Sequence, residues 1–162
     1  MAKNPFEGIE DEKMDGSGSG IYFIPGTYDE LAIKHVKFRS AEETFKGVDT
    51  VIFAFEVIKS QVETRPAGTV IDHVIKKKLK DGSPNPFYFK NIKKVLMPAF
   101  GTTDPADIDG DLLALVTDEK KQAAAGKRLK AIATNVKTNK GADFTSVDFS
   151  SLGEDGKQGQ VA

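Results

Sequence analysis

GVDTVIFAFEVIKS, residues 47–60, decides the fold, because it is the longest uninterrupted run of strand-forming residues in the chain. Along it Val51, Phe53, Phe55 and Val57 point to one face, and Thr50, Ile52, Ala54, Glu56 and Ile58 to the other. Both faces are largely apolar. Such a strand belongs inside a sheet or barrel wall, with a core on one side and an aromatic-tolerant surface on the other.

Upstream, IYFIPGTYDELAIKHVKFRS places a turn at Pro25 and Gly26 and then a long strand. Its apolar parity changes partway: Leu31 and Ile33 share one face, Val36 and Phe38 the opposite one. A bulge near Lys34 and His35 reconciles the two halves. A long, bent first strand that serves both ends of a closed sheet is what a small five-stranded barrel requires.

Downstream, QVETRPAG is a loop punctuated by Pro66 and Gly68, and Thr69 to Lys77 alternates as a third strand that runs into Lys76, Lys77 and Lys78. DGSPNP is turn chemistry, with Asn85 as N-cap and Pro86 as first residue of a helix beginning near Phe87. That helix is expected to bury Phe89, Ile92, Leu96 and Phe100 on one face, to carry Lys90, Lys93 and Lys94 outside, and to end or kink at Pro98. A shorter helical region follows, capped by Asp111 and stopped by Gly126. Residues 127–137 read as a fourth strand, and a turn at 139–141 leads into DFTSVDF as a fifth, where Phe144 faces away from Thr145 and Val147. The predicted architecture is mainly β: a five-stranded barrel with a helical insertion between the third and fourth strands. It occupies residues 20–151, between a flexible acidic arm (1–19) and a disordered tail (152–162).

A length of 162 residues suits one domain with a proper core. No apolar run approaches the length of a membrane span, and MAKNPFEGIEDEKMD has neither the basic nor the apolar part of a secretory signal. Cysteine is absent, so no disulfide framework or thiolate site exists, and the expected setting is cytoplasmic, with no membrane partner. The net charge of -1 conceals a segregation. Residues 65–94 hold eight Lys and Arg against two acids, and residues 127–141 hold five against none. A basic face survives a near-zero total. Lysines that merely solvate strand edges and loops would give the same count.

Catalytic chemistry finds little support. His35 and His73 each sit inside a predicted strand, without the spacing of a metal site, and no nucleophile elbow, P-loop or dinucleotide fingerprint occurs. DPADIDGD gathers Asp104, Asp107, Asp109 and Asp111, but positions 115 and 116 are Leu and Val where a calcium loop needs glutamate. Helix capping explains those aspartates better. A hydrolase or nuclease would need carboxylates clustered on one face, which chain order does not supply. The expectation is a protein that is not an enzyme and holds no metal or cofactor.

Single-stranded nucleic-acid binding needs cations that track phosphates and exposed rings on which bases stack. The candidate cations are Lys34, Lys37, Arg39, Lys59, Lys76, Lys77, Lys78 and Arg128, and the candidate stackers are Tyr28, Phe38, Phe45 and one of Phe53 or Phe55. Eleven phenylalanines cannot all be outside, so most are core. Phe38 and Phe45 are preferred because they flank a polar loop beside Arg39 and Lys46.

Taken in order, the G-x-Y before a long strand, the central VIFAFEVIKS, a strand entering a basic loop, a helix, and the final GKRLKAIATNVKTNKGADFTSVDF hairpin resemble bacteriophage-encoded single-stranded-DNA-binding proteins of the OB-fold type. The resemblance spans roughly residues 20–150 and is one of layout. It implies an accessory of DNA replication or recombination that coats single strands in the host cytoplasm, with replication or recombination proteins as further partners and a homodimer left open. One departure is the end of the chain, GEDGKQGQVA, where such proteins often carry an acidic tail ending in Phe. The competing expectation is a phage structural or protein-interaction module that uses the same small β-barrel to bind acidic partners.

Overall fold

The computed structural model describes residues 20–42, 47–79, 82–137 and 143–152. Among these residues five strands form: β1 (Gly26–Arg39), β2 (Thr50–Lys59), β3 (Val70–Lys76), β4 (Arg128–Lys137) and β5 (Asp143–Ser150). Two helices, α1 (Tyr88–Phe100) and α2 (Gly110–Thr117), lie between β3 and β4, with a 3-10 turn at Pro105–Asp107. The chain is mainly β, and the helices are inserted where the sequence places them. The expected arm (1–19), residues 43–46 and 80–81, the turn region 138–142 and the tail beyond Leu152 lie outside the described residues.

The five strands pair antiparallel, in the order β3-β2-β1-β4-β5. β2 is buried on both faces from Thr50 to Phe55, as its two apolar rows require. β1 holds the sheet together because it pairs with β2 through residues 30–39 and with β4 through residues 26–32. Its register shifts between Ile33, opposite Phe55, and His35, opposite Ala54, so Lys34 is the extra residue of a bulge. That one residue lets Leu31, Ile33 and Val36 all face the same core.

Past Ala32 the β4 side of β1 is taken over by the segment leading into β4. The Ile33 N–H donates to the Lys127 carbonyl at 2.8 Å, and the Gly126 N–H donates to the Ile33 carbonyl at 2.8 Å. One turn further, the Gln122 side chain accepts from the Val36 N–H (2.7 Å) and donates to the Val36 carbonyl (2.8 Å). A single amide thus stands in for a neighbouring strand. Gln122 reaches this position from a backbone φ of 38°.

Among the described residues the ladder stops at β3 and at β5, so the sheet curls without closing into a hydrogen-bonded cylinder. Side chains bridge the seam instead. His73 of β3 lies 5.3 Å from Phe149 of β5 between ring centroids, and Phe55 lies 5.5 Å from Phe149. Phe23 plugs the same place, touching Tyr28, Phe55, His73 and Phe149. Just before it, the Ile21 carbonyl accepts from the Asp72 N–H at 2.8 Å, a short parallel addition to the β3 edge. α1 packs against β5, β3 and β4 and spans the seam from outside.

Two local arrangements fix the start of β1. The buried Tyr28 hydroxyl donates to the Ile24 carbonyl (2.7 Å) and accepts from the Ile24 N–H (3.1 Å), which locks the Pro25 and Gly26 turn. Gly26, at φ 145°, has no room for a side chain: a Cβ there would lie 2.4 Å from Val62 Cγ2.

The helices differ from the sequence reading in phase and in caps. α1 buries Tyr88, Ile92, Val95 and Leu96, an i, i+4, i+7, i+8 stripe, and leaves Phe89 60% exposed. Tyr88 rather than Phe89 points inward because Val95 completes its stripe and not that of Phe89. Asn85 does not cap α1: its Oδ1 accepts from the Phe87 N–H and its Nδ2 donates to the Lys76 carbonyl, tying the turn to the end of β3. Pro98 is accommodated in the last turn, and Gly101, at φ 71°, closes the helix onto the Met97 and Pro98 carbonyls. Asp109, not Asp111, caps α2 by accepting from the Leu112 N–H, and α2 stops at Thr117, well before Gly126.

Candidate nucleic-acid interface

The strand register sorts the sequence-selected cations into two groups. Arg39 stands opposite Thr50, which stands opposite Lys76. One row further in, Lys37, Ile52 and Val74 align in the same way. Since side chains alternate, both rows share the outer parity of the β1-β2-β3 sheet, but their middle members Thr50 and Ile52 are buried, so the accessible charge lies at the flanks, where Arg39 and Lys76 are two strand spacings apart, about 10 Å. Phe38 lies between Lys37 and Arg39 on the inward parity, but at the rim of the sheet, where it is 41% exposed. This end of the sheet therefore joins Lys37, Phe38, Arg39 and Lys76.

Lys77 and Lys78 extend it, and their backbone is held in place. The Lys77 N–H donates to the Asp49 carbonyl and its own carbonyl accepts from the Asn85 N–H, while Lys78 bridges to Pro84. The Lys77 ammonium lies 3.8 Å from the Asp49 carboxylate, so part of its charge is already answered.

Lys59 and Arg128 form the second group, and it does not converge with the first. Lys59 pairs in register with Glu30, and Arg128 forms an ion pair with the Glu30 carboxylate. Along the strands Lys59 lies about 30 Å, and Arg128, opposite Ala32, about 20 Å, from the row of Arg39 and Lys76. Lys34 is exposed at the bulge between the two ends.

Among the candidate stackers, Tyr28, Phe53 and Phe55 are fully buried and offer no face to a base. The reason is the inward parity that they share with Leu31, Val36 and Val57. Phe38 keeps an accessible ring, and Phe45 lies outside the described residues.

A second arrangement is one that sequence reasoning missed. Where the edges of β3 and β5 face each other under α1, a groove of about 400 Å³ opens. Phe87, Lys90, Asn91 and Lys94 line it from the α1 side, and Phe144 and Ser146 from β5. Phe87 is 55% exposed and Phe144 48%. Lys90 lies 5.8 Å from the centre of the Phe87 ring, and Lys94 lies 3.8 Å from the Asp148 carboxylate. His73 forms part of the floor. Burial, assisted by the Lys94 charge, lowers its pKa to about 4, so the imidazole is neutral at physiological pH. One signal in the sequence pointed here: Phe87, Tyr88 and Phe89 turn 100° per residue on a helix, so the three rings cannot all face a core.

No group of three or more His, Asp or Glu that could hold a metal occurs among the described residues. The aspartates of DPADIDGD are used locally instead: Asp104 accepts from the Ala106 N–H, Asp107 from the Thr102 hydroxyl, and Asp109 from the Leu112 N–H. Among the described residues no helix is long and apolar enough to cross a membrane. The sequence matches no protein-family model and no curated protein.

Proposed function

We propose that the chain binds single-stranded DNA without catalysis, on a partly open five-stranded barrel of the OB type, as an accessory to phage DNA replication or recombination. The observation that carries this reading is the register that aligns Arg39 with Lys76 and Lys37 with Val74 across three strands, beside the accessible ring of Phe38. Cations fixed on a sheet face can follow a phosphate backbone and release its counterions, while the ring accepts a base regardless of its identity. The strand order supports the barrel. In β3-β2-β1-β4-β5 the two end strands are already in contact through His73 and Phe149, and the helices enter between β3 and β4. A five-stranded, partly open barrel whose β2-β3 face binds oligonucleotides has this form.

Titration of a fluorescent oligothymidine at several salt concentrations tests the reading. Each phosphate contact on a single strand contributes a slope of roughly 0.7 in log K against log salt. The triple variant Lys37→Ala, Arg39→Ala, Lys76→Ala should flatten that slope by about 2. No binding by the unmodified chain refutes the function; binding with an unchanged slope in the variant removes this row from the interface.

A further inference from the structure

We infer that the groove between β3, β5 and α1 is a second binding site for the same single strand, in which Phe87 and Phe144 take a base and Lys90 and Lys94 take its flanking phosphates. The inference rests on the single-strand reading above and adds a site whose cations and rings are not those of the first interface.

The lining carries the argument. Phenylalanine is a costly residue to leave half in water, yet two line one groove that a chain with a packed core has not filled. Both cations project from α1 one helical turn apart, and among the described residues no acid lines the groove. Asp148 stands at its border, paired with Lys94, and both side chains are well exposed to water. A polyanion can therefore displace that carboxylate at little cost. The volume, about 400 Å³, falls within the range of small-ligand pockets. Asn91, Thr145 and Ser146 supply donors and acceptors, and neutral His73 adds no charge to the floor.

Continuity with the first interface decides the kind of ligand. Val74 belongs both to the outward row of Lys37 and Ile52 and to the lining of the groove, and Ile75, also in the lining, directly precedes Lys76. A strand held at Arg39 and Lys76 thus passes over the β3 edge into the groove without leaving the protein. An acidic peptide suits the site less well. Adding a peptide strand needs a run of open edge groups, and the Asp72 N–H of β3 is already taken by the Ile21 carbonyl.

The test uses the full chain and oligothymidines of increasing length, read by fluorescence anisotropy, with thermal melts to verify folding. The double variant Phe87→Ala, Phe144→Ala should bind a long oligothymidine roughly tenfold or more weakly. It should bind the shortest oligomers almost as the unmodified chain does, because those are held at the first row. Lys90→Ala with Lys94→Ala should flatten the salt slope by about 1.4. Asp148→Asn, which frees Lys94, should tighten binding, and this variant touches no core residue. Unmodified binding that responds to the Lys37, Arg39 and Lys76 triple but to none of the groove variants overturns the groove and leaves the first interface standing. Displacement of oligothymidine by polyglutamate, charge for charge, overturns the assignment of the rings to bases. Failure of the unmodified chain to bind overturns both readings.

Discussion

Acid should destabilise this protein through one imidazole, and the effect can be sized from its surroundings. His73 lies half-buried between Phe23 and Phe149, with Lys94 nearby, and its pKa is lowered from 6.5 to about 4. In the unfolded chain the ring takes up a proton as pH falls through 6.5, whereas the folded protein refuses it until about pH 4. The unfolded state thus binds more protons between these values. The contribution of His73 is complete above pH 6.5 and is lost progressively as pH falls towards 4. Linkage over that window amounts to about 2.5 kcal/mol between about pH 7.5 and about pH 4.5. Urea unfolding of the unmodified chain and of His73→Phe across this range measures it. The phenylalanine keeps an aromatic ring among Phe23, Phe55 and Phe149 but cannot titrate. The difference in stability between the two proteins should shift in favour of the variant by about 2.5 kcal/mol as pH falls from about 7.5 to about 4.5. A difference that does not change with pH would refute the reasoning, because it would mean that His73 accepts protons equally well folded and unfolded.

Two further substitutions probe polar groups that hold β1. Tyr28→Phe removes the hydroxyl that satisfies both backbone groups of Ile24 and should cost about 1–3 kcal/mol in urea unfolding, with the ring packing retained. Gln122→Leu strips the amide from the Val36 edge and should cost a similar ~1–3 kcal/mol. Hydrogen exchange at the Val36 amide should accelerate in that variant more than at Phe53, which would localise the loss to the edge.

Much of the fold was legible because alternation along a strand is a local property. Val51, Phe53, Phe55 and Val57 did face one core, the parity change in β1 did require the bulge at Lys34, and the helices do interrupt the strands between β3 and β4. Helix phase was less legible, since FYF is apolar at every position and the stripes through Tyr88 and Phe89 share Ile92 and Leu96, with only Val95 favouring the one through Tyr88. Asn85 is a good N-cap residue by type, but the carbonyl of Lys76 and the amide of Phe87 claimed its side chain first.

The candidate site was legible only in part. Sequence could nominate Lys37, Arg39, Lys76 and Arg128 alike, because charge and residue type are read one position at a time. Which of them meet depends on strand order and register, and these put Arg39 beside Lys76 and left Arg128 with Glu30 at the far end. The same dependence hid the groove: Phe87 and Phe144 are distant in the chain and become neighbours only when the sheet curls and α1 crosses its seam. The sequence by itself determined the strands, the bulge and the place of the helices, through short-range periodicity and sterics. Only the tertiary structure decided that β3 and β5 approach without pairing, which rings stay in water and which cations share a face, because each is a relation between segments that the chain brings together only on folding.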